Sequence, residues 1–318
     1  MTWSLPISFD LWFAGIAGGV YSTAFLIDYF RNHDSRPLLR VATYLGIPMV
    51  LLGVLLLIID LGNPLRFWHL FGEFKIMSPM SMGTWILLAW LLIAVAMVVL
   101  WRIETGASSK LTARMQRIKG FLEVIGLVFA ILLMVYTGVL LAVNSNPLWS
   151  STVLLPALFS SSAVSMGLAL LVVISLTINA ITRGKLPALK PVKEWILGTN
   201  HSDIAPRTVS QMVGVNIIAI IIQMVLLVVY VIVLTTSANA GASEAIKQLV
   251  SGNMAVPFWL GAVLVAQLIP LVLYIINRAR DTGLASVGYS IVLSSVCVVF
   301  GGLLLRIVII VAGQSAGI

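Results

Sequence analysis

"LLGVLLLIIDLGNPLRFWHLFGEFKIMSPMSMGTWILLAWLLIAVAMVVL", residues 51–100, decides the fold. Two runs built almost wholly of Leu, Ile, Val and Ala flank a segment from Asp60 to Trp85 that gathers a carboxylate, an arginine, a histidine and two tryptophans. Apolar helices of about 20 residues, rising about 1.5 Å per residue, cross the ~30 Å hydrocarbon layer of a bilayer. The polar segment is therefore read as a rim, joining two spanning helices at a membrane surface.

The remainder of the chain calls for the same solvent. Of its 318 residues, 60% are hydrophobic and 9% charged, with a mean hydropathy of +1.09, far from the balance of soluble domains. The net charge of +8 does not indicate a nucleic-acid partner, because the Lys and Arg residues sit in short loops between apolar runs rather than on one solvated face. A single cysteine, Cys297, lies inside an apolar run and leaves no disulfide framework and no Cys-ligated metal cluster within the chain. The opening MTWSLPISFD lacks a basic stretch, so the first apolar run is read as a permanent helix.

Eight windows are long and apolar enough to span, near 10–30, 40–60, 83–102, 120–143, 155–181, 209–236, 254–276 and 285–312. Lipid satisfies no open backbone group, and the strand alternation of a barrel is absent, so the expected fold is an all-α polytopic membrane protein with eight transmembrane helices. Eight crossings put both termini on one side. Of the 19 Lys and Arg, only Arg66, Lys75, Lys247 and Arg306 fall on that side, with Arg306 taken as lying near the outer end of the last helix. The positive-inside bias then places the other set in the cytoplasm, both termini outside, and the Asp60–Trp85 rim on the extracytoplasmic face of a cell inner membrane. The connection from Arg183 to Arg207, with Pro187, Pro191 and Pro206, is read as a seam between two four-helix bundles, residues 1–182 and 183–318. Gly15, Gly18 and Gly19 suit close helix contacts.

Ionisable groups within or beside apolar runs are few and expensive. Asp10 begins the first span, Asp60 ends the second, Arg66 and His69 follow in the loop, and Tyr136 lies about two turns below the outer end of the fourth. All five map to the outer half of the first bundle. A quinone headgroup would want such a set: hydrogen-bond donors for its carbonyls, a carboxylate to carry protons, and aromatic walls such as Phe67, Trp68 and Trp85. A proton-coupled carrier would be served equally well.

The stretches "DLGNPLRFWHLF", "SPMSMGTW", "YTGVLLAVNSNPLW" and "GGLLLRIVIIVAGQ" resemble the motifs of the NrfD and polysulfide reductase membrane-subunit family, along most of the chain. The resemblance implies a helical quinone-binding anchor, for menaquinone or ubiquinone, with no redox cofactor of its own. It implies electron exchange with an iron-sulfur subunit, connected in turn to a catalytic subunit, often a molybdopterin enzyme. By motif, Tyr136 matches the tyrosine set against the quinone carbonyl, and His69 and Asp60 match polar pocket positions. Asp10 stands where the family carries a polar first-helix residue, within a local sequence, SFDLWF, that departs from other members; Ser81 and Arg66 complete the set.

Haem is not expected, since His33 and His201 fall in cytoplasmic loops and His69 in the outer loop, so no two can face each other within the membrane. Without a cofactor crossing the bilayer, the quinone site and the iron-sulfur partner should share the outer face. Asp28 on the first span and Glu123 on the fourth suggest a proton path from the cytoplasm; the competing reading pairs them with Arg31 or Lys119. Asn179, Asn216, Gln223, Gln267 and Asn277 are read as interhelical hydrogen-bonding groups. A secondary transporter is the different-class alternative, disfavoured because the charged groups lie at rims and in one half rather than at the midplane of both. A purely structural anchor is the third reading.

Overall fold

The computed structural model describes residues 5–31, 35–60, 78–106, 113–144, 146–198, 203–237, 239–279 and 284–315. Among these the fold is all-α, with eight helices long and apolar enough to cross a membrane. We number them α1 (Leu5–Phe30), α2 (Arg36–Asp60), α3 (Pro79–Gly106), α4 (Ala113–Ala142), α5 (Leu154–Thr182), α6 (Pro206–Thr235), α7 (Pro257–Ala279) and α8 (Leu284–Ser315).

The connection from Arg183 to Arg207 follows the fifth spanning helix. Residues 1–182 thus hold five spans and residues 183–318 three, which corrects the four-and-four division. Nor is the connection a free linker. It contains the helix Lys190–Leu197, whose Trp195 lies under the Arg102 guanidinium of α3 at 3.8 Å from the ring centroid and against Tyr44 of α2. Such a cation over an indole face is attractive by about 0.5–2 kcal/mol, and it ties the connection to the earlier helices.

α1 and α5 form the centre. They meet where Gly19 faces the Ala163 carbonyl and Gly167 faces the Gly19 backbone, so neither glycine has room for a side chain. This is the small-residue approach by which helices pack in lipid. Around that crossing a shared core draws on all eight spans, including Trp90, Tyr21, Met97, Met166, Met212, Tyr274 and Val298. Between α5, α6, α7 and α8 runs a buried chain of hydrogen bonds. Ser165 Oγ donates to Asn216 Oδ1 (2.8 Å), Asn216 Nδ2 to Tyr274 Oη (3.4 Å), and Tyr274 Oη and Ser295 Oγ lie 2.8 Å apart. Asn216 therefore acts as interhelical glue. Asn179 instead holds the entry to α6, donating to the Ile204 carbonyl and accepting from the Ile204 N–H.

α7 is wound widely over Pro257–Leu268, a π-helical stretch in which Ile269 N donates to Leu264 O. Pro270 follows directly; it lacks an N–H and its ring crowds the carbonyl four residues back, which favours the wider turn. At the rim between α4 and α5 the short helix Pro147–Ser150 is capped by Asn146. Trp149 Nε1 donates to Ile309 O (3.0 Å), Asn146 Nδ2 to Gly313 O (2.6 Å), and Tyr230 Oη to Leu148 O (2.8 Å), binding this rim to α6 and α8.

Candidate functional site

Asp10 is fully buried, and neither carboxylate oxygen has a hydrogen-bond partner among the described residues. It faces α2 at Gly53, where a β-carbon would stand 2.6 Å from Oδ1. The glycine thus makes the recess that the carboxyl group fills. Ser8, two residues nearer the start of α1, is likewise buried, its hydroxyl without a hydrogen-bond partner among the described residues.

Tyr136 of α4 approaches from the other side. Its phenol Cζ, Cε2 and Oη occupy the space a Gly83 side chain would need on α3. The residue is 6% exposed and lies within electrostatic reach of Asp10. The "SPMSMGTW" and "YTGVLLAVN" stretches are therefore two halves of one contact: the first supplies the glycine, the second the ring. Ser81 is buried in the first turn of α3, and Trp85 is half-buried one half-turn beyond Gly83.

Asp10 and Tyr136 thus converge at one depth. Asp60 does not share it: the last residue of α2 stands two turns, about 10 Å, outward of Gly53, half-buried at the rim. Arg66 and His69, with Phe67 and Trp68, lie outside the described residues, as do the other two histidines, His33 and His201. Among the described residues no group of His, Cys, Asp and Glu is arranged to hold a metal ion.

At the opposite end, Asp28 is buried and accepts a hydrogen bond from Ser35 N at 3.0 Å. Glu123 is half-buried, and its backbone carbonyl accepts from Tyr21 Oη at 3.0 Å. Lys119, expected beside Glu123, donates to Glu104 at 3.2 Å, in a cluster that also includes Arg40. Arg31, expected beside Asp28, donates to Gln211 at 2.8 Å.

Arg306 is where sequence reasoning fell short. Counted as a rim charge, it is fully buried between α8, α5 and α1. Nη1 donates to Gly302 O (2.8 Å) and Ser162 Oγ (3.4 Å), and the guanidinium lies 5.0 Å from the Phe159 ring centroid. Nε and Nη2 have no hydrogen-bond partner among the described residues, and a β-carbon on Gly15 would come within 2.7 Å of Nη2. The signal was present: Gly15 sits on the glycine-rich face of α1, and a side chain as long as arginine leans toward the start of its own helix. Its target helix, however, is unreadable without the packing.

The chain matches the family model described as "Polysulphide reductase, NrfD" over residues 1–193 and 197–316. It is 27% identical to the C subunit of polysulfide reductase from Wolinella succinogenes, over 99% of this chain and 95% of that protein. With the same coverage it is 28% identical to protein NrfD of Escherichia coli K12 and 30% identical to the NrfD homolog of Haemophilus influenzae.

Proposed function

Because the chain belongs to the polysulphide reductase NrfD family, we propose that it is the quinone-reactive membrane subunit of a multi-subunit oxidoreductase, exchanging electrons with an iron-sulfur partner that serves a catalytic, molybdopterin-type subunit. The observation that carries this reading is the pairing of a buried, unsatisfied Asp10 carboxyl with the Tyr136 phenol in a cradle made by Gly53 and Gly83. Buried ionisable groups without partners are costly in a membrane and mark binding or proton-transfer sites. The residues present fit a quinone headgroup, and a quinone, when bound, supplies a two-electron, two-proton couple.

The chain's own part is to bind, orient and move protons. The Tyr136 hydroxyl donates a hydrogen bond to a carbonyl oxygen of the headgroup. Asp10, closed off from water, holds or releases a proton at its carboxyl oxygens. Asp60 at the rim passes protons between the pocket and the aqueous face, Ser81 and Trp85 line the approach, and Arg66 and His69 extend the polar set in the connecting loop. The isoprenoid tail of a menaquinone or ubiquinone runs from the headgroup into the surrounding lipid. With no haem in the chain, the electron partner sits on the same face as this pocket, which the Lys and Arg bias assigns to the extracytoplasmic side of the inner membrane, with both termini.

The test is turnover of a soluble quinone analogue by the assembled complex. Tyr136→Phe keeps the ring volume and removes one donor. The loss of one hydrogen bond, worth ~0.5–1.5 kcal/mol and more when the partner oxygen stays buried, corresponds to about a threefold to hundredfold fall in turnover or affinity. His69→Ala and Asp60→Asn should also lower turnover, Asp60→Asn by slowing proton delivery rather than binding. If all three variants assemble and turn over at the wild-type rate, the chain is a structural anchor.

A further inference from the structure

At the end of the bundle opposite the Asp10 and Tyr136 pocket, α1, α5, α6 and α7 enclose a groove of about 1250 Å³. Its walls are apolar, formed by residues such as Leu26, Val164, Leu168, Val215 and Ile218. Its rim is not: Arg31, Arg207 and Arg278 all line it, and among the described residues no Asp or Glu does. Two of the three are held by neutral groups. Arg31 donates to Gln211 while its Nε is buried without a partner among the described residues, and Arg278 donates to the Ser210 carbonyl at 3.3 Å, its guanidinium resting against Gly214. Arg207 lies in the first turn of α6, where the unsatisfied backbone N–H groups of a helix add to its positive field. None of the three makes an ion pair among the described residues. Three positioned cations over an apolar trench, all at the basic end of the bundle, lack an anion that carries hydrocarbon.

We propose that this groove binds an anionic phospholipid of the adjoining leaflet, with Arg31, Arg207 and Arg278 around the phosphate and the acyl chains laid along the α1, α5 and α6 wall. Charge complementarity selects the occupant. A zwitterionic lipid offers no net charge to three arginines, a quinone offers no anion, and free phosphate leaves the apolar wall uncovered. Basic pockets between transmembrane helices hold acidic headgroups on the same principle.

The experiment is native mass spectrometry of the purified full-length chain, titrated with phosphatidylglycerol, phosphatidylcholine or inorganic phosphate, with helicity by circular dichroism as the folding control. Phosphatidylglycerol should bind at least tenfold more tightly than phosphatidylcholine. Each arginine near the surface contributes about fivefold, so R31Q/R207Q/R278Q should weaken phosphatidylglycerol on the order of a hundredfold. Val215→Trp, which fills the apolar wall, should weaken the lipid and leave phosphate binding unchanged. Equal affinity for the two lipids, full retention by the triple variant, or phosphate binding as tightly as the lipid overturns the proposal. If the triple variant does not fold, Arg207→Gln at an exposed position decides, about fivefold weakening being expected and none overturning it.

Discussion

A guanidinium placed among hydrocarbon needs a reason. Arg306 has one backbone carbonyl, one long bond to a serine and an aromatic face, with two nitrogen positions left over. Apolar residues of similar volume usually replace such a group without loss of stability, or with a gain. Arg306→Met should therefore leave the melting temperature equal or raised. If the cation is kept for function, at a point on α1 about one and a half turns from Asp10, quinone turnover should fall about tenfold in the same protein. Wild-type turnover together with a raised melting temperature would reduce Arg306 to a packing residue. At this scale legibility was uneven. Asp10 and Tyr136 stood out because charged or hydroxylated groups are conspicuous in apolar runs. Arg306 stood out too, but a lone cation within a dozen residues of a helix end has two readings, snorkelling to the surface or pointing inward, and only the glycine at position 15 on another helix decides between them.

The glycines that matter to the site act through pairs of helices. Gly83 yields its side-chain space to Tyr136 and Gly53 yields its space to Asp10, yet along the chain both look like ordinary small residues of membrane helices. Gly83→Ala should displace the phenol and lower quinone turnover as much as Tyr136→Phe does. Gly120→Ala, on the helix that carries Tyr136 but at a point where a β-carbon meets nothing within 4 Å, should leave turnover unchanged; equal effects from the two would disconnect the cradle from the chemistry. The spans themselves were legible because length and hydropathy suffice for them. The helices Lys190–Leu197 and Ala240–Ser251 were not, being short, amphipathic and embedded in stretches whose prolines, charges or small polar residues read as loop. The Arg183–Arg207 connection likewise has the composition of a linker, while Trp195 docks it under Arg102.

Across the whole molecule the cations and the candidate sites separate by end. Asp10, Asp60 and Tyr136 occupy one end, and the Arg40, Glu104 and Lys119 cluster and the three-arginine groove the other. Reporters fused after Ile318 should accordingly read extracytoplasmic, and those placed between Lys110 and Lys119 cytoplasmic; the reverse pattern would invert the side proposed for the iron-sulfur partner. In the sequence His33, His69 and His201 all fall between the apolar runs, so no two are expected to face each other within the membrane across an iron porphyrin. Optical spectra of the purified protein should then lack b-type bands, and a stoichiometric haem signal would remove the reason for placing partner and quinone on one face.

The indole of Trp12 donates to the carbonyl of Val299, 287 residues later, and the tightest approach to α1 comes from α5 rather than from its neighbour in sequence. During synthesis, then, the first helix enters the bilayer before most of the surfaces made for it exist. Asp10 meets its recess at Gly53 once α2 follows, but the glycine face has to wait in lipid, or against the insertion machinery, for α4 and α5, and Gly15 for Arg306 of the last span. A premature stop that removes the last span would consequently also be felt at the opposite terminus of the polypeptide, where Trp12 loses its acceptor.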